Sequence, residues 1–271
     1  GGIEPVAAAM KLHFNDFGHG AQEGPAIIIL HGLFGSGRNW SSFAKHFSAK
    51  HRVLTVDLRN HGSSPWNDEM TYPAMAEDVL ELIAAESLDQ PVLLGHSMGG
   101  KVAMTAALSQ PDLLAGLILA DIAPVTYSHS HAGLVTLMQA LDIANYSRRS
   151  EADADLALSI DDATLRGFLL HNLLFEEGGP RWQINLDAIP PSMPGLMKFP
   201  FELGSRQFTG PVALIGGGKS DFVLPEHHDA VRGFFPAADI KMIDGAGHWV
   251  HAQKPEEFGQ HVVEFLTYLS P

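Results

Sequence analysis

The chain of 271 residues contains no cysteine. That excludes disulfides, thiolate metal sites and a cysteine nucleophile together. Positive charge is also scarce: 17 Lys and Arg stand against 31 Asp and Glu, for a formal net charge of −14. Binding along a phosphate backbone needs a basic surface, so nucleic acid is not an expected partner. No apolar run approaches the roughly 20 residues that span a bilayer, so no membrane segment is expected. The N-terminus lacks the basic start and long apolar centre of a signal peptide. A soluble, cytoplasmic protein is the expectation. Gly1 to Ala9 carries little information and precedes Met10; it reads as a remnant of expression, with Met10 as the natural start. Internal repeats and low-complexity tracts are missing too. The length fits one large α/β domain, or one core with an insert.

What the chain does have is a rhythm of apolar runs and helical spacings. Ala26 to Leu30, Arg52 to Leu58, Val92 to Leu94, Leu114 to Ala120, Val212 to Ile215 and Ile240 to Ile243 read as buried strands. Lys11 to Asp16 alternates weakly, as an edge strand would. Between the runs, helical spacing predicts helices near Asn39 to Phe47, Tyr72 to Ser87, Val102 to Ser109, Glu226 to Phe235 and Pro255 to Leu269. Alternating strands and helices predict right-handed crossovers, hence an α/β fold with a mostly parallel central sheet and helices on both faces. From Val125 to Arg206 the rhythm stops. Helical patterns follow one another there (Leu134 to Ile143, Glu151 to Ser159, Ala163 to Leu174), then comes an irregular segment rich in proline, and no strand is evident. This region leaves and rejoins the sheet at the carboxyl ends of strands, where such sheets bind ligands, so it reads as a helical cap, with an extra core layer as the alternative. The expected division is a core of residues 10–125 and 207–271 with a cap of residues 126–206.

The chain is organised around Gly95-His96-Ser97-Met98-Gly99, a G-x-S-x-G pattern between a strand and a helix. A serine on such a turn is held with its hydroxyl outward, and the flanking glycines leave room for the close approach of strand and helix. A serine attacks only when a base takes its proton and a third group orients that base. This motif goes with the chain order serine, acid, histidine. His248, in Gly245-Ala-Gly-His248, sits after the last strand and is the candidate base; His251 is the nearby rival. Two aspartates end parallel strands and could orient it, Asp121 and Asp221. Oxyanion donors are expected at the backbone N–H of Met98 and at that of Leu33, in His31-Gly-Leu-Phe-Gly-Ser, with Phe34 as the alternative. His31 reads as a loop brace and His96 as a supporting residue. Apolar residues expected near the substrate are Phe34, Trp182 and Phe222.

A nucleotide fold is the look-alike. However, Gly32, Gly35 and Gly37 do not have the dinucleotide spacing, and Gly217-Gly-Lys-Ser220 lacks the upstream glycine of a phosphate loop. The His129, His131 and His227, His228 pairs have no third ligand, so no metal and no cofactor is expected.

With these motifs assembled, the chain resembles the α/β-hydrolases, more narrowly the YbfF-type esterases and their mitochondrial relatives. The likeness rests on His31-Gly-Leu-Phe-Gly-Ser, Asp57-Leu-Arg-Asn-His-Gly-Ser-Ser-Pro65, Gly95-His-Ser-Met-Gly-Gly-Lys101, Asp121-Ile-Ala-Pro-Val125 and Gly245-Ala-Gly-His-Trp-Val-His251. It implies an α/β-hydrolase fold with a helical cap and a serine carboxylesterase acting on small acyl esters, with Ser97 and His248 as nucleophile and base. In that group the acid lies in the Asp-Ile-Ala-Pro segment, which favours Asp121 and leaves Asp221 as the alternative. The rival activities on such a site are lactone, thioester or C–C bond hydrolysis and perhydrolysis; a binding protein with little turnover is the rival from another class.

Overall fold

The computed structural model describes residues 9–18, 23–129, 131–200 and 203–269. Most of the N-terminal segment expected to be foreign, residues 1–8, lies outside them. The central sheet has seven strands: β1 (Phe14–Phe17), β2 (Ile27–Leu30), β3 (Val53–Val56), β4 (Val92–His96), β5 (Gly116–Ala120), β8 (Val212–Gly217) and β9 (Ala238–Ile243). Their spatial order is β1-β3-β2-β4-β5-β8-β9. Only β1 runs antiparallel, against β3; the other pairings are parallel.

Five of the strands, β2, β3, β4, β5 and β8, are buried along their whole length and read as mainly apolar runs because both of their faces are covered. Ile28, Leu30, Leu54, Leu93, Leu117 and Leu214 face one side, where they meet α2 (Tyr72–Ala85), α3 (Met98–Ser109) and α8 (His228–Phe234). Ile27, Ile29, Val53, Leu94, Ile118 and Ile215 face the other, against α1 (Ser41–Phe47) and α10 (Pro255–Leu269). The chain runs from β2 outward to β3 and then crosses back over β2 to β4. That reversal opens a crevice at the carboxyl ends of β2 and β4. The Gly32 loop and Ser97 both follow directly from those ends.

Between β5 and β8 lie α4 (Ala132–Gln139), α5 (Arg149–Leu156), α6 (Ala163–Leu170) and α7 (Ile189–Met197). Two expectations for this stretch need correction. It contains strands: β6 (Leu173–Glu176) and β7 (Gly179–Trp182) form an antiparallel hairpin, where Ala163 to Leu174 was expected to be one helix. The proline-rich segment is not irregular either, since it forms α7. Pro190 and Pro191 occupy the first turn, where a backbone N–H has no helical partner to lose, and only Pro194 lies inside the helix. None of the described helices is long and apolar enough to cross a membrane.

Candidate active site

Ser97 stands between β4 and α3 with φ 54° and ψ −120°, a conformation that side chains other than glycine rarely adopt. Its neighbours make the bend possible. A Cβ on Gly95 would run into the backbone of Gly99 and Gly100, and a Cβ on Gly99 would run into the carbonyls of Leu30 and His31. The Ser97 carbonyl accepts from the N–H groups of Gly100 (2.9 Å) and Lys101 (3.2 Å), which anchors the turn to the helix.

His248 lies on the loop after β9, buried, with Nε2 2.9 Å from the Ser97 hydroxyl and Nδ1 2.8 Å from Asp121 Oδ2. Phe222 stacks on its ring at 3.8 Å between centroids. Asp121 directly follows β5 and is fully buried. Its Oδ1 accepts from the Gly217 N–H at 2.9 Å and its Oδ2 from the Ser220 hydroxyl at 2.5 Å. The structure thus brings Ser97, His248 and Asp121 into one hydrogen-bonded line. Asp221 is elsewhere: its side chain is 70% exposed and faces His129 Nε2 at 3.4 Å.

Burial pushes the His248 imidazole down to about 3, and His131 and His129 add repulsion; Asp221 acts weakly the other way. The Asp121 carboxylate at 2.8 Å also favours the charged ring and opposes the shift. Burial lifts Asp121 to about 6, with the donors on Ser220 and Gly217 holding it back. At neutral pH the ring is uncharged, so it has a lone pair to offer the serine.

The residues expected to supply oxyanion donors border this serine: Met98 follows it in the chain, and Leu33 lines both cavities that Ser97 lines. Met98 is the first residue of α3, where a backbone N–H has no intrahelical acceptor. Neither the Met98 nor the Leu33 N–H meets an acceptor among the described residues. The alternative, the Phe34 N–H, is engaged by His61 Nε2 at 3.2 Å. The loop itself is braced by buried neutral histidines. His31 Nε2 accepts from the Leu58 N–H at 3.0 Å, so its Nδ1–H donates to the Gly32 carbonyl at 2.7 Å. Burial pushes His31 down to about 4 and His61 to about 3. His96 donates from Nε2 to the His248 carbonyl at 2.9 Å and so holds the base's own backbone. His251, the rival base, stacks on Trp40 at 4.0 Å between centroids and has no contact with the serine hydroxyl.

Of the apolar residues expected near the substrate, Phe34 and Phe222 line cavities beside Ser97. Trp182 does not: it ends β7, paired with Leu173, and lines neither cavity. Three residues at the site carried no expected role. His131 lines both cavities, Asn172 donates to the Phe34 carbonyl at 2.9 Å, and Lys101 lies buried one helical turn after the serine. A lysine inside Met98 to Leu108, a stretch with no other charged residue, was the available signal for the last. No group of three or more His, Asp or Glu among the described residues is placed to hold a metal.

Comparison with known proteins places this geometry in context. A family model described as "Alpha/beta hydrolase family" matches residues 27–260. The mouse protein named sn-1-specific diacylglycerol lipase ABHD11 is 42% identical over 90% of this chain and 81% of its own length. The Escherichia coli esterase YbfF is 34% identical over 89% of this chain and 92% of its own. Among solved structures, a marine microorganism esterase superposes with a TM-score of 0.90 at 37% identity, covering 95% of this chain and 100% of that one.

Proposed function

Because the chain belongs to the α/β-hydrolase family and has its fold, we propose that it hydrolyses small acyl esters through an acyl-enzyme, with Ser97 as nucleophile, His248 as base and Asp121 as the orienting acid. That it is a serine hydrolase of carboxylic esters is the premise; the three residues and the substrate size are the proposal. The observation that carries it is the unbroken line from Ser97 Oγ to His248 Nε2 (2.9 Å) and from Nδ1 to Asp121 (2.8 Å).

In this reading the Ser97 hydroxyl attacks the ester carbonyl while its proton passes to His248 Nε2. The carbonyl oxygen becomes an oxyanion between the N–H groups of Leu33 and Met98. Collapse breaks the bond to the alcohol oxygen, which takes the proton from Nε2 and leaves. Water then gives a proton to Nε2 and attacks the acyl group, and the returning proton restores Ser97 as the acid departs. Asp121 keeps the ring proton on Nδ1, so the lone pair stays on Nε2. The names of the mouse and bacterial relatives, a diacylglycerol lipase and an esterase, support a neutral carboxylic ester as the substrate class. Residues 126–206 act as the cap over a core of residues 10–125 and 207–271. The test is hydrolysis of 4-nitrophenyl acetate by the parent and by Ser97→Ala. The expected result is loss of all but background turnover; equal rates would refute the nucleophile.

A further inference from the structure

The triad and its two donors leave unexplained why the space above Ser97 is divided. One cavity runs beside His248 and Trp249 and is walled by Trp40, Leu165 and Phe168. A second runs past Met98 and is walled by Tyr72, Ile122, Met193 and Met197. Ser97, Leu33 and His131 line both; His248 lines only the first and Met98 only the second.

We propose that the methionine-lined cavity takes an uncharged, flexible aliphatic acyl chain and that the aromatic cavity takes the leaving alcohol. This rests on the serine-hydrolase reading above and deepens it. The tetrahedral carbon carries four groups: Ser97 Oγ, the oxyanion, the leaving oxygen and the acyl chain. The leaving oxygen must reach His248 Nε2 to be protonated, which sends the alcohol to the side His248 lines. The oxyanion sits between Leu33 and Met98. The remaining direction leads past Met98 into the second cavity. Unbranched thioether side chains adapt to a chain of variable shape.

Lys101 decides the charge of that acyl group. Burial lowers the Lys101 amine to about 7, but three carbonyls face it, and only the ammonium satisfies all of them, with three protons and no acceptor. All three have partners: the carbonyls of Val125 (2.8 Å), Met197 (3.2 Å) and Lys198 (2.9 Å). The Tyr127 ring lies 4.8 Å below it. A carboxylate at the far end of an acyl chain would have to displace a backbone carbonyl to be recognised. The same three bonds tie the segment leaving β5 and the end of α7 to the helix that starts at the nucleophile, so the wall of this cavity is fixed at both of its ends.

Met197 and Leu165 are half-buried, which leaves room for a larger side chain. The experiment measures kcat/KM of the parent, Met197→Trp and Leu165→Trp on two series: 4-nitrophenyl esters from acetyl to hexanoyl, and acetate esters from ethyl to 2-naphthyl. Met197→Trp is expected to lower the hexanoyl-to-acetyl ratio about tenfold and to move the alcohol ratio by less than about twofold; Leu165→Trp is expected to do the converse. A crossed pattern, or no change in either ratio, overturns the assignment. Should either variant lack the parent's circular dichroism, Met193→Phe or Phe168→Trp takes its place and is read the same way. For the charge, the parent is expected to hydrolyse a hemisuccinate ester about a hundredfold more slowly than the matching butyrate. Equal rates overturn that part. Turnover that survives Ser97→Ala would instead sink the hydrolase reading itself.

Discussion

Replacing Asp121 by Asn tests the orienting acid with the smallest change of shape. The Gly217 N–H points at Oδ1 and can be met only by an oxygen, so the new amide must keep its carbonyl there. Its NH2 then occupies the place of Oδ2, facing His248 Nδ1 and the Ser220 hydroxyl. Nδ1 must now accept, and the ring proton moves to Nε2, against Ser97. The base has lost its lone pair. Turning the amide over only sets its NH2 against the Gly217 N–H. Loss of the correct tautomer removes roughly 10³–10⁴-fold in rate, or about 4–5.5 kcal/mol of barrier. The fall should lie in kcat rather than KM, because Asp121 is fully buried behind His248 and lines neither cavity. Asp221→Asn removes an exposed contact to His129 and a weak influence on His248, and should leave kcat/KM within about fivefold, since such pairs contribute at most about 1 kcal/mol. Both variants would be assayed on 4-nitrophenyl acetate with their folding checked by circular dichroism. Equal effects, or an Asp121→Asn enzyme within tenfold of the parent, would refute the reasoning.

Other outcomes follow from the same geometry. Burial holds His248 below the ordinary 6.5, so it stays neutral and basic into acid; the acid limb of kcat/KM should fall below pH 6.5, and a limb at or above that value contradicts the assignment. His31, His61 and His96 are buried and pushed down to about 4, 3 and 3. Above pH 6.5 each is neutral whether folded or not. Below it the unfolded chain takes up protons the folded chain refuses, so stability falls by roughly 4 kcal/mol per pH unit for the three together. Denaturant titrations at pH 7 and 5.5 should show it, and equal midpoints would contradict it. Lys101→Met strands the carbonyls of Val125, Met197 and Lys198 in the interior, so thermal stability should drop by about 3 kcal/mol or more; a variant as stable as the parent would show that water replaces the ammonium.

The strands of the sheet were legible because burial on both faces leaves no alternation to misread: Ile27–Leu30 is apolar throughout, and each residue is buried. The strand–turn–helix around Ser97 and the late loop of His248 were legible because chain order alone constrains them. The hairpin was not, since Leu173, Leu174 and Phe175 extend the apolar spacing of α6 before them; the signal that separates the two is the turn at Glu177 and Gly178. α7 was hidden by proline, which reads as a breaker unless its position in the first turn is known. The acid was a choice between two strand-end aspartates that local sequence does not distinguish. Asp121 follows a strand at the middle of the sheet, whereas Asp221 lies four residues past the end of β8 and has reached solvent. The resemblance favoured Asp121, and the pairing of the strands supplies the physical difference, since it sets Asp121 rather than Asp221 against His248. Phe34 was a plausible donor until a second loop, carrying His61, was brought onto its N–H.

Three of the residues that build the site hold positive φ without being glycine: Phe34 at 70°, Ser97 at 54° and Asp121 at 49°. Each follows the carboxyl end of a central strand, β2, β4 or β5. Such conformations cost of order 1–3 kcal/mol apiece and persist only where surrounding structure over-determines them. Here the surrounding structure is backbone. Asp121 is pinned by its own N–H on the Ile215 carbonyl (2.9 Å) and Ser97 by its N–H on the Ala120 carbonyl (3.3 Å). Gly99 lies so close to the Leu30 and His31 carbonyls that no Cβ fits between them. That last contact sets the start of α3, which carries Met98, against the end of β2, which leads into the loop of Leu33. The distances on which the chemistry depends are therefore held mainly by main-chain contacts across four neighbouring strands, β2, β4, β5 and β8. Side-chain changes around the cavities should accordingly redirect which ester is accepted, whereas a methyl group on Gly99 should separate the two oxyanion donors and lower kcat for every ester alike.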